Sequence, residues 1–397
     1  MADHLTRDDI DLVSGEFWGR NPHEELTWMR ANAPVYWDGK AWGITRYADL
    51  RAVSKDPGTY SNAGGIRPGT GPIPMMIDMD DPDHLRRRKL VNKGYTPRRV
   101  RDREAELRAV CDTLIDAVAE KGECDFVWDL AAPLPLIMIG DDLGVAPEDR
   151  SKLLEWSDAM LTALTGSEES AGPAFEAFMG YTDYATNVIA DRRANPRDDL
   201  MSVLCHAEVD GDKLTHDDLV HESLLILIGG DETTRHVISG GMYQLLTNPE
   251  QWAILQADPS KLTTGVEEML RWVSPIKNMC RTATRDVELH GQQIHEGDEL
   301  LLLYPSANRD EDVFDDPFRF DVERTPNDHV AFGFGTHFCL GNSLARLELR
   351  IMFEQLLARL PDIQLVDSPE PHYRPANFVS GYETMPVTFT PVAPLGA

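Results

Sequence analysis

Phe332-Gly333-Phe334-Gly335-Thr336-His337-Phe338-Cys339-Leu340-Gly341 is the stretch on which the reading of this chain turns. A run with apolar residues at three- and four-residue spacing, Gly341–Leu360, follows directly and predicts a helix. The loop therefore presents Cys339 at a helix N-terminus, where free backbone N–H groups and the helix dipole stabilise a thiolate. Glycine lets the backbone approach closely, so amides can point at the sulfur. From the residues alone two readings stand. One is a cysteine offered as an anionic ligand; the other is a buried free cysteine, as most single cysteines are.

Three weaker patterns lie upstream. Gly229-Gly230-Asp231-Glu232-Thr233-Thr234 sits inside the longest helical pattern, His216–Leu246. A mid-helix glycine costs about 1 kcal/mol relative to alanine, so the pair asks for a close approach, by another helix or by a ligand. Glu268 and Arg271 form an i,i+3 pair, a spacing that recurs at Glu232–Arg235 and means nothing alone. His84 and Arg88 share one helix face within His84-Leu85-Arg86-Arg87-Arg88, for which a solvated basic patch is the plain reading.

Helical patterns also cover Arg103–Val118, Pro147–Leu164, Phe175–Arg193, Pro249–Ala257 and Gly265–Val273. Strands are few: a hairpin of Val35–Trp37 and Ala41–Thr45 about Asp38-Gly39, and Asp286–His290 with Glu299–Tyr304 about a turn at Gly291–Gly297. This is not the strand–helix alternation of a parallel-sheet fold, and no G-x-G-x-x-G phosphate loop is present. The 397 residues set a prior of two or three domains. The balance of 38 basic and 67 acidic residues gives a net charge of −29, which disfavours a nucleic-acid binder. Five cysteines without a C-x-x-C pair predict neither a disulfide framework nor a structural zinc. The polar start, Met1-Ala2-Asp3-His4, lacks a signal-peptide layout, and no apolar run nears the ~18 residues of a membrane span. A cytoplasmic protein is expected.

The cysteine stretch resembles the F-x-x-G-x-H-x-C-x-G haem-binding signature of the cytochrome P450 family. Five fixed positions recur by chance about 10⁻⁴ times in a chain of this length. The resemblance implies a mainly α fold with small β-sheets, a single triangular-prism domain over 1–397, and haem b as cofactor. It makes Cys339 the axial thiolate, which favours O–O cleavage. Phe332 would shield the sulfur-side face, and His337, His84, Arg88 and Arg281 would bind haem propionates. Glu268 and Arg271 match E-x-x-R and would lock onto Arg324 to hold the loop. Gly229-Gly230-Asp231-Glu232-Thr233 matches the oxygen-activating motif. Small residues there leave room for O2, and Glu232 and Thr233 relay protons. Asp231 is expected at the surface.

The family's substrate-facing segments map onto Ile73, Met75 and Met76, Leu225–Gly229, Ile276–Met279, and Phe378 with Val379. They are almost wholly apolar; Lys277 is the one candidate anchor for a carboxylate. A large neutral hydrophobic substrate follows, ahead of a fatty acid or a terpenoid. More finely, the stretches Ser61–Pro68, Pro74–Asp80, Leu225–Thr234 and Asn377–Gly381 resemble mycobacterial hydroxylases of the C26(27) side-chain terminus of cholesterol and cholest-4-en-3-one. The partners so implied are O2, a ferredoxin and a ferredoxin reductase. Nine basic residues between Arg86 and Arg103 offer a docking patch despite the acidic total, or a generic solvated face. A haem-thiolate sensor without turnover and a peroxide-driven peroxygenase are disfavoured by the intact Glu232–Thr233 pair.

Overall fold

The computed structural model describes residues 4–163, 168–366 and 372–396. Its framework is helical. The longest helix with both ends described runs His216–Thr247, and its start is fixed by a capping box: the Thr215 hydroxyl accepts from the Asp218 N–H while the Asp218 carboxylate accepts from the Thr215 N–H. Pro249 then opens the next helix, Pro249–Ala257. Leu262–Val273 ends at Ser274, whose φ of 40° is left-handed. The helix after the cysteine loop spans Asn342–Arg359. The patterns at 103–118 and 175–193 correspond to Glu104–Ala119 and to a longer helix, Glu168–Ala194. The pattern at 147–164 resolves into a short turn at Pro147–Asp149 and a helix, Arg150–Ala163; Leu164 lies outside the described residues.

The largest sheet has five strands, in the order Val35–Trp37, Trp42–Ile44, Glu299–Leu303, Asn278–Ala283, Tyr60–Ser61. Pairing is antiparallel except between Trp42–Ile44 and Glu299–Leu303. One expectation fails here. Val287–Leu289 pairs with Gln292–Ile294, not with 299–304. His290 and Gly291 take φ of 51° and 76°, so a two-residue turn closes that hairpin at once. The strand freed by this, Glu299–Leu303, is buried between two neighbours.

The main apolar core joins the long helix, Leu262–Val273, Glu104–Ala119 and the cysteine-loop helix through residues such as Leu107, Ile238, Met269 and Phe353. A second cluster gathers Met76, Ile139, Tyr181, Leu224 and Leu227 around the N-terminal half of the long helix, whereas the first takes Val237, Ile238, Met242 and Leu245 from its C-terminal half. The glycine pair falls between the two.

Candidate active site

Gly333 and Gly335 sit at φ of 71° and 78°, conformations that disfavour any side chain. A Cβ on Gly335 would also come within 2.4 Å of the Ser54 carbonyl. The tight turn sends the Cys339 N–H back to the Phe332 carbonyl at 2.9 Å, and Asn342 Nδ2 donates to the Cys339 carbonyl at 2.8 Å. Burial pushes the Cys339 thiol up; backbone N–H groups of Gly341 and Asn342, with Arg88 and Arg346, favour the thiolate. The Arg346 guanidinium stacks 4.5 Å from the centre of the Phe332 ring.

Cys339 opens onto a cavity of about 1500 Å³, measured out to its mouth, whose facing wall is the long helix. The two glycines differ. A Cβ on Gly229 would meet nothing within 4 Å, whereas one on Gly230 would strike Ile139 at 2.8 Å. Gly229 therefore keeps the cavity open, and Gly230 allows helix packing. Thr233 lines the same cavity, its hydroxyl bonded to the Gly229 carbonyl at 2.8 Å.

Glu232 points elsewhere. Its carboxylate accepts from Arg235 and Arg374, each at 2.7 Å, and borders a second cavity lined by Ser14–Glu16 and 374–379. Burial pushes its pKa up to about 7 despite both guanidiniums. Asp231 corrects the sequence reading. It is fully buried rather than exposed, with one oxygen accepting from Ser157 Oγ at 3.2 Å and the other unpartnered, because the helix Arg150–Ala163 covers that face.

His84, Arg88, Arg281 and His337 converge at the cysteine-loop end of the cavity. The His84 and His337 rings lie 4.0 Å apart, and His84 Nδ1 pairs with Asp81 at 3.1 Å. Burial, with His84, Arg281 and Arg88 close by, pushes the His337 pKa down to about 2. Such a corner is short of negative charge, and a ligand bringing carboxylates would supply it. Arg88 also donates to the Thr336 and Phe338 carbonyls and so ties its helix, Asp83–Val91, to the cysteine loop. A loop that offers one cysteine, an apolar slot and this cationic corner together fit a haem with its two propionates.

Behind the loop stands the buried Glu268 carboxylate. Arg271 meets it with two bonds of 2.8 Å, and Arg324 Nε lies at 3.1 Å. Asn327 Nδ2 and the Asp321 N–H add 3.1 and 2.9 Å. Arg271 spans on to the Asn308 and Pro317 carbonyls, and Asn308 accepts the Val330 N–H two residues before Phe332.

The proposed substrate residues divide. Met76, Gly229 and Met279 line the cavity together with Ile77, Ile139, Leu225, Ile226 and Ile276. Ile73 does not; it is 44% exposed, outside the turn closed by Asp78. Met75 is buried against the second core cluster. Phe378 and Val379 stand one layer back, packed with Ile66 and Leu161 behind Ile77, Ile228, Ile276 and Met279. Lys277 is buried with its ammonium 3.2 Å from the Ser274 carbonyl, outside the cavity, so it anchors no carboxylate there. Sequence reasoning missed Glu348, which lines the cavity, accepts from Thr234, and is pushed by burial up to about 8. In sequence it reads as one more charge on a salt-bridged helix face; only the approach of the long helix makes it special.

The cysteine loop and the cavity it closes have the arrangement of a cytochrome P450, and a model of the Cytochrome P450 family matches residues 167–378. The chain belongs to that family and is a haem b-dependent P450 monooxygenase. It is 58% identical over 395 residues to a steroid C26-monooxygenase of Mycobacterium tuberculosis, covering 98% of this chain and 99% of the relative. A steroid C26-monooxygenase of Mycolicibacterium smegmatis is 54% identical over 399 residues, covering all of both chains. Among solved structures, the cytochrome P450 PksS of Bacillus subtilis superposes with a TM-score of 0.90 at 34% identity, covering 97% of this chain and all of that one. Among the described residues, no helix is long and apolar enough to cross a membrane.

Proposed function

We propose that this P450, working as one domain over residues 1–397, hydroxylates the terminal side-chain carbon (C26 or C27) of cholesterol or cholest-4-en-3-one. The observation that carries the reading is the cavity lining. Met76, Ile77, Ile139, Leu225, Ile226, Ile276 and Met279 are apolar, while the described cationic side chains of the cavity, Arg88 and Arg281, stand with His84 and His337 at the cysteine-loop end. Affinity at ~25 cal/mol per Å2 of buried apolar area needs no charged anchor, which favours a neutral sterol over a fatty acid. The near-identical span of relatives named steroid C26-monooxygenase supports the same substrate class.

When bound, haem b would supply the activation of O2, and Cys339 would hold it through its sulfur. His84, Arg88, Arg281 and His337 would hold the propionates, and Phe332 with the stacked Arg346 would shield the sulfur side. The apolar wall excludes water and presents one end of a long rigid body, so geometry selects the terminal carbon. Thr233 orients at the Gly229 gap, and Glu232, near neutrality, can take and give a proton at physiological pH. Its salt bridges to Arg235 and Arg374 must loosen for that carboxylate to turn inward.

Electrons are proposed to come from a ferredoxin served by a reductase. Of the nine basic residues, Arg87 is buried and Arg88 faces the cavity, while Arg86, Lys89, Lys93, Arg98 and Arg101 remain exposed and can steer an acidic partner. The test of the substrate reading is a spectral titration of the ferric holoenzyme. Cholest-4-en-3-one should shift the haem spectrum towards high spin, with a long-chain fatty acid much weaker. A fatty acid binding more tightly than either sterol would overturn it.

A further inference from the structure

Glu222 lies two turns before Gly229 on the long helix, fully buried, and takes no part in the chemistry above. One of its oxygens accepts the Met76 N–H at 2.8 Å and Arg87 Nη1 at 3.1 Å; the other has no partner. The same Arg87 nitrogen donates to the Pro74 carbonyl at 2.8 Å, and its other arm pairs with Asp218. Two charged side chains from two helices therefore grip the backbone on either side of Met75. The rest of this segment is closed on itself: the Asp78 carboxylate accepts the Ile66 and Ile73 N–H groups, and Asn62 Nδ2 donates to the Ile77 carbonyl. Met76 and Ile77, next to the grip, are cavity-lining side chains.

Burying a carboxylate is expensive even with one guanidinium beside it. A neutral acceptor would satisfy a single amide at less cost. What the carboxylate adds is stiffness at one point of a loop that forms part of the cavity wall.

We propose that Glu222 is a positioning residue: by holding the Met76 amide from the long helix, it fixes the Met76–Ile77 wall and so sets which carbon of the substrate side chain reaches the reacting centre. This rests on the side-chain hydroxylation proposed above. A charge-assisted bond of this kind biases the pinned over the released loop by about ten- to a hundredfold. Its loss should loosen the wall without touching Cys339, the propionate corner or Thr233.

The test compares Glu222→Leu with Glu222→Gln, which keeps an acceptor for the Met76 amide. Two readouts are taken on holoenzyme: the dissociation rate of 4-phenylimidazole, and the ratio of terminal to subterminal alcohols from cholest-4-en-3-one. Glu222→Leu should release 4-phenylimidazole about tenfold faster and lower the terminal fraction. Glu222→Gln should fall between the parent and the leucine variant on both. A Leu variant matching the parent on both readouts would overturn the proposal. Should that variant fail to load haem, Glu222→Asp decides, since the shorter carboxylate keeps a counter-charge beside Arg87 but is drawn back from the Met76 amide. An unchanged release rate there overturns it equally. If the parent enzyme yields no terminal alcohol, the substrate reading falls, while 4-phenylimidazole release still judges the clamp.

Discussion

Replacing Glu268 by alanine should unseat the haem from a distance. The carboxylate is fully buried and receives Arg271 through two bonds, Arg324, Asn327 and the Asp321 N–H. Removing it leaves Arg271, also fully buried, without its counter-charge. Breaking a buried pair in this way costs about 3–5 kcal/mol, against a total stability of roughly 5–15 kcal/mol for a typical domain. The loss also propagates, because Arg271 holds the Asn308 carbonyl, and Asn308 holds the Val330 N–H at the entry to the cysteine loop. Urea unfolding of the holoenzyme, followed at the haem band, should show a midpoint drop worth at least ~3 kcal/mol and a reduced haem-to-protein ratio. Glu268→Gln, keeping one acceptor, should fall between. An alanine variant that binds haem fully and unfolds within ~1 kcal/mol of the parent would refute the lock.

Further outcomes follow from other residues. Thr233→Ala should leave sterol affinity nearly unchanged while product per NADH falls and peroxide rises; unchanged coupling removes Thr233 from proton handling. Glu348 keeps its proton up to about pH 8 in the fold, against an ordinary 4.5. Its stabilising effect is therefore complete below pH 4.5 and is lost as pH rises towards 8, at about 1.4 kcal/mol per unit. With Asp142 and Arg103 also facing it, Glu348→Gln should flatten the fall in unfolding free energy between pH 5 and 8; an equally steep fall would contradict this. Reversing Arg98 and Arg99 to Glu should slow reduction by ferredoxin at low salt, with the difference fading as screening shortens to ~10 Å at 0.1 M. Equal rates at low salt would place the docking surface elsewhere.

The cysteine loop was legible because its chemistry fixes residue types at fixed separations. Two glycines at positive φ, a histidine, a cysteine and a helix start leave few substitutes. Gly229 and Thr233, four apart on one helix, were bound to share a face. The direction of Glu232 was not legible, because Arg374, which turns it away, lies 142 residues on. Asp231 looked like a surface charge since acidic side chains in helices usually are. Its burial depends on Ser157 and the helix that carries it. Phe378 and Val379 were placed in the correct neighbourhood but one layer too far forward, a distinction set by how 374–381 folds back on Ile276. In the basic stretch, Arg87 was indistinguishable from its neighbours until Glu222 and Asp218 were seen beside it.

The central claim is that this P450 oxidises the far end of a sterol side chain, and product identity tests it most directly. Holoenzyme, ferredoxin, reductase and NADH should convert cholest-4-en-3-one to an alcohol at C26 or C27, with aldehyde and acid on longer turnover. Hydroxylation of the ring nucleus would require the sterol to enter in the opposite orientation and would contradict the account, as would efficient NADH consumption with no side-chain product.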